Sequence, residues 1–119
     1  MEHETIYHIT TCTDWDAARQ TGEYRADSLA SQGFIHASTR AQVLRTANKY
    51  YHGQAGLVLL EIHAAKVKAD IRYEDLSGEG MSFPHIYGPL NVDAVSGWVD
   101  MVLQIDGSFY IPPRFQAVI

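Results

Sequence analysis

The chain has few of the features that mark secreted or membrane proteins. Its 119 residues include one cysteine, Cys12, which has no second cysteine with which to form an intramolecular disulfide. No apolar run of about 18 residues predicts a membrane span, and no signal-peptide pattern is visible. We therefore expect a cytoplasmic protein that does not contact a membrane.

Positive charge is also scarce. Lysine and arginine number 9 against 14 aspartates and glutamates, which gives a formal net charge of −5. Nucleic-acid binding depends on many cations that displace counterions from phosphates, so this surface disfavours a nucleic-acid partner. A small basic pocket for a phosphorylated ligand remains compatible with this charge.

Several standard catalytic motifs are missing as well. The sequence contains no G-x-G-x-x-G, no G-x-x-x-x-G-K-[ST], no H-E-x-x-H and no G-x-S-x-G. The usual dinucleotide-binding, P-loop, zincin and serine-hydrolase interpretations therefore lack the residues on which they depend. The chain has 46% hydrophobic and 19% charged residues and no linker or repeat, which indicates a single domain over residues 1–119.

The periodicity predicts an α+β protein with a small mixed or antiparallel sheet and two to three helices. Alternating or apolar runs predict strands at residues 5–10, 34–37, 57–62, 71–73 and 94–105. Capping signals and glycine stops predict a helix from Thr13 to Gly22, a short turn of helix at 27–33, and a helix that Thr39 and Gln42 open with a capping box.

Residues 82–90, SFPHIYGPL, combine two prolines with a glycine. Proline fixes its own backbone and lacks an amide donor, and Gly88 tolerates a positive φ. We expect a rigid loop that presents His85 and Tyr87 to a binding site. On this hypothesis, substitution of Gly88 by valine disturbs the site before it disturbs the core.

Histidine is the most unusual component, with six residues in the chain. His8, His36 and His85 each lie between apolar neighbours, which indicates partial burial and a need for hydrogen-bond partners. We take these three as the candidate catalytic residues if they converge on one cleft. The remaining histidines, at positions 3, 52 and 63, are interpreted as structural or solvated.

Three interpretations of the histidines stay open at this point. They could bind a metal through three imidazoles, although no pair has the local spacing of strong zinc motifs, so no metal ligands are assigned. They could donate hydrogen bonds to the ribose and phosphate oxygens of a nucleotide, beside an aromatic stacking face. Each could instead be a core histidine bonded to a neighbouring carbonyl.

Five runs carry a resemblance to a known family: 6–11 (IYHITT), 33–38 (GFIHAS), 57–62 (LVLLEI), 72–75 (RYED) and 83–90 (FPHIYGPL). Together they resemble the bacterial family called domain of unknown function 952. The family-like region covers about residues 5–104, and residues 105–119 form a tail outside it.

That family resembles the ADP-ribosyltransferase superfamily, which implies a split β core that clamps NAD between two small sheets. In related transferases the first strand holds the nicotinamide ribose with a histidine, which Tyr7 and His8 resemble. A hydroxyl residue from a later strand then corresponds to Ser38 or Thr39.

The resemblance leaves the rest of the site less defined. The candidate stacking rings are Tyr7, Tyr87 and Phe83. The candidate phosphate ligands are Arg25 and Arg72. The family glutamate that stabilises the positive charge of the transition state has no matching motif in this sequence. Either Glu61 or Glu74 reaches the site, or the pocket binds a phosphorylated ligand without cleaving it.

The resulting hypothesis is a pocket for NAD, or for a related phosphorylated nucleotide, as small-molecule partner. The implied chemistry is ADP-ribosyltransferase-like or RNA 2'-phosphotransferase-like. The alternatives are a metal-dependent hydrolase with three histidine ligands and a non-catalytic ligand-binding module.

Overall fold

The computed structural model describes residues 4–110, and it has the α+β architecture that the periodicity predicts. Three helices are present in this part of the chain: α1 (Cys12–Thr21), α2 (Asp27–Gln32) and α3 (Arg40–Tyr50). The strands are β1 (Thr5–Thr11), β2 (Glu23–Tyr24), β3 (Ile35–His36), β4 (Leu57–His63), β5 (Asp70–Glu74), β6 (Phe83–Tyr87), β7 (Leu90–Asn91), β8 (Val95–Asp100), β9 (Val102–Leu103) and β10 (Phe109–Tyr110).

The first sheet has the order β1-β4-β8 and is antiparallel throughout. β4 is the central strand because its sequence, LVLLEI, is apolar on both faces, and five of its residues are buried. The ladder between β4 and β8 shifts register at Glu61 and Ile62, opposite Gly97 and Val95. The strand β8 thus carries a β-bulge near Gly97, where a residue without a side chain accommodates the irregular backbone.

The second sheet has the order β3-β6-β5, and its central strand corrects the sequence analysis. Residues 83–87, predicted as an irregular loop, form β6 between two antiparallel neighbours. Pro84 lies opposite Ala37, one residue beyond the end of β3, and its carbonyl accepts the Ala37 N–H at 3.0 Å. The amide hydrogen that proline lacks would point toward β3 as well. Because β3 ends at His36, its absence removes no hydrogen bond from within the paired strands.

The two sheets meet where β1 passes the end of β3. The backbone amides of Tyr7 and Ser38 each donate to the other residue's carbonyl at 2.8 Å, as an isolated antiparallel bridge. Two smaller pairs, β2–β7 and β9–β10, flank the sheets. Because the bridge is short, the sheets diverge on either side of it and leave space between them.

Helix boundaries follow the capping signals, with one correction. The predicted capping box of Thr39 and Gln42 is confirmed at the start of α3. Helix α1 begins earlier than predicted, because the Thr11 hydroxyl and not that of Thr13 accepts the Asp14 amide at 3.0 Å. Gly22 ends this helix in the left-handed conformation, as predicted.

The core divides into two clusters on opposite faces of β1, as its alternation predicts. Ile6 packs with Trp15, Leu60 and Ile62 in one cluster. Tyr7 and Ile9 pack with a second group that comprises Val43, Ala47, Leu57, Leu59, Met101 and Phe109. No helix among residues 4–110 has the length and apolar character needed to cross a bilayer.

The C-terminal prediction needs two corrections. Ile105, the last residue of the strand predicted at 94–105, lies outside any strand, between β9 and β10, and is fully exposed. Phe109 belongs to the predicted tail, yet it is buried in the second cluster, and its amide donates to Asn48 Oδ1 at 2.7 Å. The remainder of the predicted tail, residues 111–119, lies outside the described residues.

Gly88 gives a stability prediction that differs from the one made on sequence. A Cβ atom at this position would lie 2.9 Å from Cβ of Ala69, which packs against the first cluster. We expect Gly88→Val to lower the free energy of unfolding by about 3 kcal/mol, through overpacking and an unfavourable φ. Urea denaturation measures the loss.

Gly56→Ala is the matched control for this prediction. Gly56 also has a positive φ, but no atom lies within 4 Å of its Cβ position. This control should therefore lose only about 1 kcal/mol, from backbone strain. Equal losses in the two variants would contradict the proposed contact with Ala69.

Candidate functional site

A cleft of about 650 Å³ lies beside the junction of the two sheets. Five of the eight residues predicted for the site line it: Tyr7, His8, His36, Ser38 and His85. The structure thus brings together three histidines that are far apart in the sequence. Their strands explain this placement, since β1 and β3 meet at the junction and β6 pairs with β3.

The other three predicted residues are not among those that line the cleft. Thr39 caps α3. The Tyr87 hydroxyl donates to Glu74 Oε1 at 2.6 Å, just behind the cleft wall. Arg72 stacks on the Tyr87 ring at 4.5 Å and pairs with Asp70 at 3.3 Å, so it is held at the surface.

His8 sits in a buried hydrogen-bond chain at the base of the cleft. Its Nδ1 bonds to the backbone carbonyl of His36, and its Nε2 lies 2.8 Å from the Tyr24 hydroxyl. The Tyr24 hydroxyl is also 2.9 Å from Thr10 Oγ1. His8 is only 7% exposed, so both of its ring nitrogens depend on these protein partners.

The protonation state of His8 follows from this environment. A carbonyl can only accept, so Nδ1 carries the proton. Burial lowers the pKa of His8 to about 4, and the imidazole is therefore neutral near pH 7, with a lone pair on Nε2. The Tyr24 hydroxyl must then donate to Nε2, and Thr10 in turn donates to Tyr24.

His85 has a different partner, the Glu74 carboxylate at the end of β5. Its Nδ1 lies 2.8 Å from Glu74 Oε1, and its side chain is 5% exposed. Bonds from the Tyr87 hydroxyl and from His85 keep the pKa of Glu74 below its ordinary value. Glu74, which also lines the cleft, is therefore ionised near pH 7.

Aromatic contacts fix the two histidines of the second sheet. The Phe34 ring stacks on His85 with centroids 4.2 Å apart and an interplanar angle of 22°. Phe34 also meets the edge of His36 at 4.8 Å. Burial, and then the neighbouring His85, lower the pKa of His36, and its Nε2 bonds to Gln32 Oε1 at the surface.

The charge of the cleft is negative. Its lining includes three carboxylates, from Asp14, Asp27 and Glu74, and the described lining contains no lysine or arginine. Lys49 lies beside it, with its ammonium 5.2 Å from the centroid of the Tyr50 ring, which lines the cleft. A cationic or neutral group is thus favoured inside, and an anionic group at the rim.

The buried and exposed lining residues define a floor and a mouth. His8, Thr10, Ser38 and His85 are buried and form the floor. Tyr50 and Leu76 are 69% and 65% exposed, and they mark the mouth.

The histidines are not arranged as ligands of one metal ion. Within residues 4–110, no group of three or more histidine, cysteine, aspartate or glutamate side chains is placed to bind a metal. Both ring nitrogens of His8 already have protein partners, so ligation would break the chain to Tyr24.

Three residues of the site were missed or left open in the sequence analysis. Glu74 was one of two candidates, and it is the one that lines the cleft, whereas Glu61 accepts from Ser96 on β8 at 3.0 Å. Tyr24 and Phe34 were not predicted. Their contacts with His8 and His85 depend on strand pairing, and only the short spacing of Phe34 to His36 could have suggested a role.

The buried His8 predicts how stability depends on pH. In the unfolded chain its pKa is near 6.5, whereas in the folded protein it is about 4, so the unfolded state binds the extra proton as the pH falls. The contribution of the neutral His8 to the free energy of unfolding is therefore present at pH 7 and is lost as the pH falls toward 4. Between pH 7 and 5, His8 accounts for a loss of about 2 kcal/mol in the free energy of unfolding.

Urea denaturation of the wild type and His8→Gln at pH 7 and pH 5 measures this contribution. The wild type should lose about 2 kcal/mol more than the variant over this range. His36 titrates in both proteins, so its contribution cancels. An identical pH dependence in the two proteins would show that His8 is not held neutral.

Comparison with known proteins agrees with this fold. Residues 9–98 match the family model described as "Protein of unknown function (DUF952)". The crystal structure of protein CC0527 from Caulobacter crescentus is similar to this chain, with 38% sequence identity and a TM-score of 0.81. The match covers 89% of this chain and 93% of the CC0527 chain. The solution NMR structure of CC0527 has 39% sequence identity to this chain and a TM-score of 0.75, and the match covers 87% of this chain and 90% of the CC0527 chain. No curated protein matches significantly. The chain belongs to the DUF952 family of proteins of unknown function.

Proposed function

We propose that the cleft binds NAD, or a closely related phosphorylated nucleotide, in an ADP-ribosyltransferase-like protein. One observation carries the proposal: an ionised glutamate and two buried, hydrogen-bonded histidines line the same cleft beside the junction of two antiparallel sheets. The resemblance to ADP-ribosyltransferases implies a nicotinamide-ribose site on the first strand, which is where His8 lies.

The charge of the cleft supports the cationic end of NAD as the part that enters. The nicotinamide of NAD is a pyridinium, and Asp14, Asp27 and Glu74 supply negative charge around it. Cleavage of its bond to ribose develops positive charge on the sugar, which a carboxylate stabilises. Glu74 is ionised and lines the cleft, which supports this role for it.

Hydroxyl groups and rings of the lining suit the ribose and the base. Thr10, Ser38 and Thr46 carry hydroxyls that can exchange hydrogen bonds with a sugar. Tyr50 and Phe83 offer ring faces for stacking. The mixture of apolar rings and a few polar groups is typical of a small-molecule site.

The phosphates are assigned to the mouth of the cleft. The described lining lacks lysine and arginine, whereas Lys49 lies beside Tyr50 at the opening. We therefore place the pyrophosphate near Lys49 and not near Arg72, which is paired with Asp70. The same distribution disfavours an RNA 2'-phosphotransferase-like activity, because an RNA end would bring phosphate into the acidic interior.

Isothermal titration calorimetry with NAD, NADH, ADP-ribose and divalent metals tests this proposal. NAD should bind more tightly than NADH, since the two differ in the charge of the nicotinamide ring. His85→Ala should weaken NAD binding by about 1 to 3 kcal/mol, which is roughly 5- to 150-fold in Kd.

His63→Gln is the matched control, because His63 lies at the far end of β4, opposite Thr5, and does not line the cleft. This variant should bind NAD as the wild type does. Absence of NAD binding, or equal losses in the two histidine variants, would contradict the proposal. A response to a divalent metal alone would favour the metal-dependent alternative.

A further inference from the structure

The His85 ring has one nitrogen that faces the cleft without a protein partner. Nδ1 lies 2.8 Å from Glu74 Oε1, and because a carboxylate only accepts, the neutral ring carries its proton on Nδ1 and its lone pair on Nε2. Within residues 4–110, no hydrogen bond is found for this second nitrogen, and His85 lines the cleft. We propose that His85 is a general base whose Nε2 takes a proton from water in the cleft, in a hydrolysis that rests on the proposed function.

The surroundings of His85 hold the ring in a single orientation. Glu74 anchors one edge of the ring, and Phe34 stacks on its face at a centroid distance of 4.2 Å. Glu74 is in turn held by the Tyr87 hydroxyl at 2.6 Å. A base whose orientation is fixed by a carboxylate meets the geometric requirement of general base catalysis.

The other two histidines of the cleft do not meet this requirement. Both ring nitrogens of His8 are occupied, by the His36 carbonyl and by Tyr24. His36 is exposed, and its Nε2 is bonded to Gln32. Only His85, among these three, combines a carboxylate partner with a second nitrogen that is open to the cleft.

Burial at the floor of the cleft limits the nucleophile. His85 is 4% exposed and Ser38 is also 4% exposed, so a large acceptor has little access to this end. Water is small enough to reach it. We therefore assign water as the acceptor and hydrolysis of the bond between nicotinamide and ribose as the reaction class.

The step balances without any further reactant. Nε2 of His85 accepts a proton from water while the water oxygen forms a bond to C1' of the ribose. The bond between C1' and the nicotinamide nitrogen breaks, and its electron pair neutralises the pyridinium. NAD and water thus yield ADP-ribose, nicotinamide and one proton, which His85 releases to solvent.

Several charged or titratable groups surround His85. Glu74 faces it from β5, Tyr87 shares this carboxylate from β6, and His36 approaches from β3 with ring centroids 5.4 Å apart. Arg72 lies beyond the Tyr87 ring.

Nicotinamide release from NAD, quantified by chromatography, is the first measurement. His85→Gln should lower kcat about 100-fold or more at NAD concentrations that saturate each protein, so weaker binding of NAD does not account for the loss. His85→Ala should recover part of its activity when free imidazole is added. His63→Gln should retain the activity of the wild type.

Modification by diethyl pyrocarbonate, located by mass spectrometry, is the second measurement and needs no substrate. His85 should react faster than His8, whose nitrogens are both engaged, and Glu74→Gln should slow the reaction at His85. The general-base proposal is overturned if His85 reacts no faster than His8. It is also overturned if His85→Gln keeps kcat within about twofold of the wild type.

Failure of this proposal can be distinguished from failure of the proposed function. If NAD binds and no nicotinamide is released, the general base is overturned while the binding proposal stands. If NAD does not bind, the binding proposal fails, and the diethyl pyrocarbonate result decides alone. If His85 is then modified faster than His8, and Glu74→Gln slows this reaction, His85 is supported as a base for another substrate. If His85 is modified no faster than His8, the general-base proposal is overturned.

Discussion

The cleft depends on the contact between β1 and the end of β3. Two backbone hydrogen bonds of 2.8 Å join Tyr7 to Ser38, and the His8 side chain adds a third bond, to the His36 carbonyl. These bonds cross between two sheets that share no other strand pairing in the described part of the chain. Because they are few and buried, the loss of one would leave an unpaired polar group at the junction.

The junction also sets the chemistry of the cleft. His8 must be neutral to donate to a carbonyl and accept from Tyr24, and burial keeps it so. Glu74, which also lines the cleft, stays ionised because Tyr87 and His85 donate to it. The cleft thus contains a neutral histidine in a buried hydrogen-bond chain and, separately, a hydrogen-bonded carboxylate–histidine pair.

Much of the fold could be predicted because its signals are local. The apolar run of β4 indicated a central strand, and the spacing of Thr39 to Gln42 located the start of α3. The strand β6 was missed, since two prolines and a glycine are typical of loops. Pro84 is accommodated because β3 ends at His36, before a residue of β3 would need an amide hydrogen from Pro84. This is a property of the neighbouring strand, which the sequence around Pro84 does not contain.

The residues of the candidate site could be predicted in part, because some of their signals are also local in the sequence. His8, His36 and His85 could be selected by their apolar neighbours, and all three line the cleft. Their distinct roles could not be predicted, because each role depends on a partner from another strand, such as Tyr24 or Glu74. The phosphate role predicted for Arg72 stays a prediction: its guanidinium contacts Asp70 and the Tyr87 ring, and Arg72 is not among the residues that line the cleft.

Titration of the protein with NAD, followed by NMR of the histidine rings, tests the central claim most directly. If one cleft binds the nucleotide, the ring signals of His8, His36 and His85 shift together with a single Kd, while that of His63 stays in place. Signals from the three cleft histidines that stay unchanged, or that shift no more than that of His63, would contradict the account.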